Sequence, residues 1–304
     1  TLPRVDDPIS VLVSRGDVVE ARHRVHAVAV RGDELLLVAG DPDLVTFLRS
    51  SAKPVQALPL VRARPDLDDE LVAIACASHL ARPEQVAAVR RLLAEAPAAE
   101  EELECGPEPT PLAHNCSGKH AGFLALCRAR GWDSDGYRLA GHPCQQAMLA
   151  EVATAAGVDP TAVPTGVDGC GVVTFALTLR RAASMFGRLP SLDGGATIVR
   201  AMRAHPEMLR GPVAADALLI RALEGWVAKG GAEGLFCACS ADGIGVALKV
   251  EDGAFRAILP GLTEVLRRLG LDPSGLGETP LENSRGEPVG VITVAWQHVS
   301  PRRK

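Results

Sequence analysis

The N-terminal part of the chain alternates between apolar and polar residues as paired β-strands do. Residues 18–20 and 24–30 alternate in this way, and a second apolar segment covers residues 34–40. The two segments are separated by Arg31-Gly32-Asp33, and glycine and aspartate are common in tight turns. The pattern predicts an antiparallel hairpin near the N-terminus.

The middle of the chain carries apolar residues at the spacing of helices instead. Residues three and four positions apart lie on one face of a helix, and this spacing recurs along several segments. Gly131 follows one of them and is a typical helix stop. The predicted helices cover residues 85–93, 117–130, 143–157, 202–210 and 214–227. A buried strand is predicted over residues 71–75.

Strand patterns return toward the C-terminus. Apolar segments at 234–239 and 244–250 flank Asp242-Gly243, a frequent hairpin turn. A final strand is expected within residues 286–296. These elements predict an α/β (α+β) fold with an antiparallel sheet from both chain ends covered by helices, plus a helical middle region. The whole chain, 1–304, is predicted to form a single domain.

Composition narrows the possible partners. Hydrophobic residues make up 47% of the 304 residues, and the formal net charge is −5. A negative protein is poorly suited to nucleic acid or an anionic membrane, so neither is expected as a partner. No apolar run reaches the roughly 18 residues of a membrane span, and no signal segment is evident. We therefore expect a cytoplasmic protein whose eight cysteines are free thiols.

Lysine is scarce, and its positions are informative. Only five of the 32 basic residues are lysines, namely Lys53, Lys119, Lys229, Lys249 and Lys304. A lysine amine can lose its proton and act as a base or ligand, which arginine cannot do. Ser50 and Lys53 have the S-x-x-K spacing of penicillin-binding proteins and class A β-lactamases. On a helix they would share one face, where the amine could take the serine proton.

The segment His114–Gly122 has the highest density of chemically active residues. It reads His-Asn-Cys-Ser-Gly-Lys-His-Ala-Gly and lies where the helix at 117–130 is predicted to begin. Helix N-termini favour anions and lower the pKa of a thiol. Gly118 and Gly122 would weaken a helix, so we expect another backbone to approach closely there.

Three further residues are candidates only in combination. Ser78 follows the strand predicted at 71–75, Asp168 lies in a glycine-rich turn, and Lys229 precedes the strand predicted at 234–239. Taken singly, each has an ordinary explanation, namely a cap, an Asp-Gly turn and a solvated lysine. Because these three residues occur together with the Ser50–Lys53 pair and the segment His114–Gly122, a shared site is the better interpretation.

Together these segments resemble the asparaginase II family, the rhizobial-type or class 3 L-asparaginases. The resemblance covers nearly the whole chain in order, and the nine-residue Cys-Lys-His motif is its most specific part. It implies a fold similar to glutaminases and serine β-lactamases, and a homodimer. The chain departs from the family at residues 80–84, where Leu-Ala-Arg-Pro-Glu replaces a Gly-Glu-Pro-like segment. The matching segments are 23–27, 50–54, 76–79, 114–122, 166–171, 205–208, 229–234, 248–253 and 283–290.

The resemblance also implies roles for individual residues. The two catalytic serine–lysine pairs would be Ser50 with Lys53 and Ser78 with Lys229. The zinc ligands would be Cys116, Lys119 and Cys170. The residues that contact substrate would be Arg49, His120 and Asp168. A zinc ion, which the reaction need not require, and no organic cofactor are expected.

The expected activity is that of an L-asparaginase, which hydrolyses L-asparagine to L-aspartate and ammonia. Ser50 is the favoured nucleophile and Lys53 its base, with the opposite assignment of the two serines left open. Two alternatives remain: a related serine glutaminase or amidohydrolase, and a non-catalytic zinc- or thiol-binding protein. The second alternative leaves the placement of Lys53 and Lys229 unexplained.

Overall fold

The structure is a computed structural model that describes residues 4–5, 7–107, 110–276 and 279–296. The strands are β1 Arg4–Val5, β2 Ile9–Arg15, β3 Val18–Arg31, β4 Glu34–Ala39, β5 Val45–Phe47, β6 Thr165–Val167, β7 Val173–Thr178, β8 Trp226–Gly230, β9 Leu235–Ser240, β10 Ile244–Val250, β11 Leu281–Glu282 and β12 Pro288–Ala295. The helices are α1 Lys53–Gln56, α2 Leu58–Ala63, α3 Asp69–Ala75, α4 Pro83–Glu95, α5 Ser117–Arg130, α6 Pro143–Ala156, α7 Leu179–Arg188, α8 Gly195–Ala204, α9 Pro206–Leu209, α10 Ala215–Ala222 and α11 Ile258–Arg268.

The main sheet is built from both ends of the chain, as predicted. Its strand order is β11-β12-β2-β3-β10-β9-β8, with β4 also paired to β3 and the short β1 parallel to β4. The C-terminal β12 lies antiparallel to the N-terminal β2, where Val294 pairs with Val11. The predicted hairpin at the N-terminus corresponds to β3 and β4. The fold class of the described chain is therefore α/β (α+β), with helices covering an antiparallel sheet.

Helices pack on both faces of this sheet because its strands alternate between two cores. In β3, Val28 and Val30 belong to the larger core with the helical middle region, while Val25, Ala27 and Ala29 belong to the smaller one with α11. Successive side chains of a strand point to opposite faces. Burial on both faces explains the nearly continuous apolar pattern of β3.

A second, three-stranded sheet has the order β5-β7-β6 and positions two loops beside each other. Arg49 follows the C-terminal end of β5, and Asp168 follows that of β6. A backbone hydrogen bond from Leu48 to Phe175 of β7 continues the pairing beyond β5. Because β5 and β6 flank the same central strand in the same direction, both loops leave from the same end of the small sheet.

Several predicted elements are confirmed with close boundaries. Helix α5 covers residues 117–130 as predicted and ends at Gly131, whose φ of 65° is left-handed. Gly118 faces α3, and a β-carbon on it would lie 2.2 Å from the carbonyl oxygen of Ile74. The close backbone approach predicted for this glycine is therefore present.

Three predictions of secondary structure are wrong. Residues 71–75 lie in helix α3, which Asp68 caps by accepting a hydrogen bond from the Leu71 N–H at 2.9 Å. The helix predicted at 202–210 is divided at His205 between α8 and α9, since a proline follows. The helix predicted at 214–227 ends at Ala222. Lys229 lies within strand β8 and is buried, so it is not the solvated lysine of the ordinary explanation.

Among the described ranges, no helix combines the length and apolar character needed to cross a membrane. The single domain expected for residues 1–304 stays a prediction.

Candidate active site

Lys53 is an almost completely buried residue of the cluster predicted from sequence. It begins α1, directly after a 3-10 turn at Arg49–Ala52, and only 1% of its surface is exposed. Its Nζ donates to the Ser78 hydroxyl at 2.9 Å and to the Cys116 sulfur at 3.3 Å, and it also contacts the Ala77 carbonyl oxygen. Burial lowers the pKa of this amine, despite the opposing effect of Cys116. A neutral amine in this position can accept a hydroxyl proton.

Ser50 lies in the 3-10 turn before Lys53 and is partly exposed. Among the described residues, its hydroxyl has no hydrogen bond to Lys53 or to another side chain. The predicted pairing of Ser50 with Lys53 is thus not the one in this structure, since the Lys53 amine is directed to Ser78. A 3-10 turn also places residues three apart on one face, so the direction of the Lys53 amine is set by its contacts with Ser78, Cys116 and the Ala77 carbonyl rather than by this spacing.

Ser78 is 5% exposed and is held by contacts on both sides. Its N–H donates to the Leu209 carbonyl at 2.6 Å, and the next N–H, of His79, donates to the Asn115 carbonyl at 3.1 Å. The His79 Nε2 lies 2.8 Å from the hydroxyl of Ser117 at the start of α5. These bonds fix the Ser78 segment against both α9 and α5, so the hydroxyl has a defined position.

Lys229 is completely buried and is paired with an aspartate that the sequence analysis did not identify. Its Nζ lies 3.7 Å from the Oδ2 of Asp216 and donates to the Gly230 carbonyl at 2.8 Å. Burial lowers the pKa of Lys229 to about 8, and Asp216 opposes that effect. The described contacts include no hydrogen bond between Lys229 and Ser78, so this predicted pair is not joined in the structure. Ser51 instead donates to the Lys229 carbonyl at 2.9 Å.

The structure brings Cys116, Lys119 and Cys170 together. Lys119 Nζ donates to the Cys170 sulfur at 3.2 Å, and Cys116 and Cys170 are close enough to share a hydrogen bond. That bond from Cys170, together with Lys53 and Lys119, holds the pKa of Cys116 well below its usual range. The same contact and burial raise the pKa of Cys170. These opposite shifts favour ionisation of Cys116 over that of Cys170.

This donor set fits a zinc ion. Zinc bonds of about 2.3 Å to sulfur and 2.0 Å to nitrogen place tetrahedral ligands roughly 3.5 Å apart, close to the 3.2 Å between Lys119 and Cys170. Within the described ranges, no group of three or more His, Cys, Asp or Glu residues could hold a metal. The candidate set is therefore unusual in its third ligand, an amine that must lose its proton on binding.

Arg49 and Asp168 form an ion pair at the edge of the cluster. Arg49 Nε donates to Asp168 Oδ1 at 2.7 Å, and the side chains are 27% and 11% exposed. The Asp168 carboxylate also accepts the Gly169 N–H at 2.7 Å. Arg49 has a φ of 49°, which is left-handed and unusual for a residue with a side chain. Such strain is found mainly at functional positions.

His120 is fully buried beneath the cluster and contacts the only tyrosine of the chain. Its Nδ1 lies 2.7 Å from the hydroxyl oxygen of Tyr137. Burial, with Lys119 close by, holds the pKa of His120 well below its usual range. The ring is therefore neutral. Tyr137, like Asp216, was not predicted, although a single tyrosine in a chain poor in aromatic residues was a usable signal.

The larger surface grooves lie elsewhere. Cavities of about 440 and 610 Å³ are lined by none of the predicted site residues. A void of about 10 Å³ lies beside Lys53, Lys119 and Phe123. The cluster is thus tightly packed in this structure.

Comparison with known proteins assigns the class of this site. The model of the L-asparaginase II family matches residues 11–294, nearly the whole chain. The protein therefore belongs to the L-asparaginase II family, whose activity is that of an amidohydrolase. A search of curated proteins found no match.

Solved structures share parts of the fold at low identity. A proposed beta-lactamase from Bacteroides dorei DSM 17855 is 12% identical, with 80% of this chain and 93% of that chain covered and a TM-score of 0.45. Mglu in its native form is 14% identical, with coverages of 80% and 65% and a TM-score of 0.39. An octameric penicillin-binding protein homologue from Pyrococcus abyssi is 10% identical, with coverages of 82% and 74% and a TM-score of 0.35. Scores this low carry no functional conclusion.

Proposed function

We propose that this protein is an L-asparaginase that hydrolyses L-asparagine to L-aspartate and ammonia through a serine acyl-enzyme. The observation that carries the proposal is the buried amine of Lys53, 2.9 Å from the Ser78 hydroxyl in a member of the L-asparaginase II family. Burial lowers the pKa of this amine, and in its neutral form an amine beside a hydroxyl group can act as a general base.

The ion pair of Arg49 and Asp168 supports an amino-acid substrate. Free asparagine carries one carboxylate and one ammonium group on its α-carbon. The Arg49 guanidinium is complementary to the carboxylate and the Asp168 carboxylate to the ammonium. Binding then exchanges the single 2.7 Å ion pair for two new ones. In this proposal His120 contributes a further contact to the substrate.

The proposed reaction begins with attack of the Ser50 hydroxyl on the side-chain amide carbon. Ser50 is assigned this step because its position is partly exposed, whereas Ser78 is 5% exposed. Lys53 is proposed as the base and Ser78, which accepts a hydrogen bond from it, as the proton relay. The Ser50 hydroxyl must approach Ser78 when substrate binds, and the proton then leaves with ammonia. Water then hydrolyses the β-aspartyl ester. Lys229, with its pKa lowered to about 8, is proposed as the second amine that serves the relay.

Cys116, Lys119 and Cys170 are proposed to hold zinc. The ion, when bound, would polarise and orient an oxygen ligand in the site. We assign it no part in forming the nucleophile, because the Lys53–Ser78 contact provides a base without it. In the proposal the ion also neutralises the two thiolates beside Lys53.

The cellular location and the oligomeric state are also part of the proposal. All eight cysteines are free, which agrees with a reducing, cytoplasmic location. The homodimer is proposed on the family resemblance alone.

The test is a coupled assay of ammonia release over asparagine, glutamine and other small amides, with and without a chelator. Lys53→Met is expected to lower kcat/KM for asparagine by more than about a thousandfold, since the base is lost. Lys249→Met is the matched control, because Lys249 is a partly exposed lysine that donates to the Glu233 and Val250 carbonyls. Preference for glutamine would establish the glutaminase alternative. Zinc binding without hydrolysis of any amide would instead establish the non-catalytic one.

A further inference from the structure

A chain of hydrogen bonds beneath the site leads from the backbone to His120. The Glu104 N–H donates to the Tyr137 hydroxyl oxygen at 2.8 Å, and that oxygen lies 2.7 Å from His120 Nδ1. Tyr137 and His120 are both completely buried, and their rings pack edge to face with centroids 5.5 Å apart.

The donors and acceptors in this series of hydrogen bonds determine where its protons lie. The Glu104 backbone N–H can only donate, so the Tyr137 oxygen accepts there. The phenol then has one proton left, and His120 Nδ1 is the acceptor within reach. A phenol proton directed anywhere else would be buried without a partner, which is costly. Nδ1 is therefore an acceptor, and the imidazole proton is on Nε2.

The Nε2–H group is a buried donor that has no partner among the described residues. A buried polar atom without a partner in a native structure calls for an explanation, such as a ligand that it binds. His120 directly follows Lys119 of the candidate site in α5, and its ring packs against Phe123, over which the Lys119 amine also lies. A donor in such a place is complementary to an oxygen acceptor of a bound molecule.

We propose that Tyr137 is a positioning residue that holds His120 as the Nε2–H tautomer, and that this N–H donates to a carboxylate or amide oxygen of the substrate. The first half rests on the hydrogen-bond chain alone. The second half rests on the proposed function, because it needs a substrate with such an oxygen.

The Tyr137 hydroxyl is well placed for this purpose because its own segment is held independently. Gln145 of α6 donates to the Tyr137 carbonyl at 2.9 Å, so the backbone there is fixed by a bond that does not involve the hydroxyl. Removing the hydroxyl and removing this backbone bond are therefore separable changes. Tyr137→Phe tests the positioning role, and Gln145→Met is its matched structural control.

The tautomer is measured directly by nitrogen NMR of the histidine-labelled protein, with the His120→Gln variant used to assign the signal. The expected spectrum has an unprotonated Nδ1 and a protonated Nε2 in His120. This assignment should be lost or mixed in Tyr137→Phe and retained in Gln145→Met. A wild-type spectrum with the His120 proton on Nδ1 overturns the inference, and sequential backbone assignment identifies the His120 signal if His120→Gln does not fold.

Kinetics test the second half. Tyr137→Phe is expected to lower kcat/KM for the amide substrate by about ten- to a hundredfold, the range for a misdirected buried donor. Gln145→Met should stay within about threefold, although it also loses a buried hydrogen bond. An unchanged kcat/KM in Tyr137→Phe overturns the positioning role. If the wild-type protein hydrolyses no amide, the proposed function fails, while the tautomer experiment still decides the first half.

Discussion

The Lys53 amine lies 2.9 Å from the Ser78 hydroxyl, although the two residues are 25 positions apart in the chain. Ser50 is only three positions from the same lysine, but its hydroxyl does not contact the amine. The contact therefore comes from the packing of α1 against the segment after α3, and not from local helix spacing. It makes the roles of the two serines the first question to test.

We predict that Ser50→Ala lowers turnover of asparagine by at least about a thousandfold, since it removes the proposed nucleophile. Ser78→Ala should lower turnover by about a hundredfold, because the relay is lost and not the attacking group. Mass spectrometry of the quenched enzyme should detect an acyl adduct in Ser78→Ala but not in Ser50→Ala. The reverse pattern would assign Ser78 as the nucleophile. Ser191→Ala, which alters an exposed serine, is the control.

The pH dependence of activity should report Lys229. With a pKa of about 8, Lys229 is protonated below that value and neutral above it, so kcat/KM should rise with pH through this region. Asp216 raises the pKa of Lys229 because its carboxylate stabilises the ammonium form. Asp216→Asn should therefore move the rise in kcat/KM to lower pH. Asp272→Asn changes an exposed acid outside the cluster and should not move the profile; a shift common to both variants would contradict the role of Lys229.

Gly118→Ala should lower the free energy of unfolding by about 2–3 kcal/mol, as overpacking does. The added methyl group would meet the Ile74 carbonyl oxygen of α3, which is backbone and has little freedom to move. Gly141→Ala is the matched control, since open space surrounds that glycine and its φ is not left-handed. Chemical denaturation of both variants measures the difference. Equal stabilities would show that α3 and α5 separate without cost.

Ala81→Gly is expected to stabilise the protein by about 0.5–1 kcal/mol. Ala81 has a φ of 55°, which costs an L-residue about 1–2 kcal/mol, and glycine removes this cost at the expense of greater freedom in the unfolded chain. Ala87→Gly, at an exposed position within α4, should have the opposite sign and lose about 1 kcal/mol. The melting temperatures of the two variants should thus change in opposite directions.

Metal analysis should find about one zinc ion per chain, lost on Cys170→Ser because one of three protein ligands is weakened. Cys239→Ala changes a buried cysteine of strand β9 and should keep the metal. Chelation is expected to lower the melting temperature by removing a ligand that binds only the folded state. Complete loss of activity on chelation would show that zinc takes a larger part in the reaction than proposed.

Much of the fold could be predicted because neighbouring residues encode it. The apolar spacing and the glycine stop defined α5 to the residue, and alternation with a turn defined the hairpin of β3 and β4. Residues 71–75 were misassigned because a short apolar run fits a buried helix as well as a buried strand. The same run is helical in the structure, where the Asp68 cap begins it.

The candidate site was predictable as a set of residues but not as a set of contacts. Lys53, Cys116, Lys119 and Cys170 converge as expected from the motifs. Asp216 and Tyr137 were missed because each lies in an unremarkable segment and gains its role only through a distant partner, Lys229 or His120.

The sequence by itself determined the antiparallel sheet from both chain ends, helices such as α5, and which few side chains have the chemistry for an amidohydrolase. These properties depend on the spacing of neighbours and on the types of residue present. Only the tertiary structure decided that Lys53 contacts Ser78, that Lys229 faces Asp216, and that Tyr137 directs the proton of His120. The physical reason is that hydrogen bonds between distant segments depend on how helices pack against a sheet, and burial then sets the protonation states on which the chemistry depends.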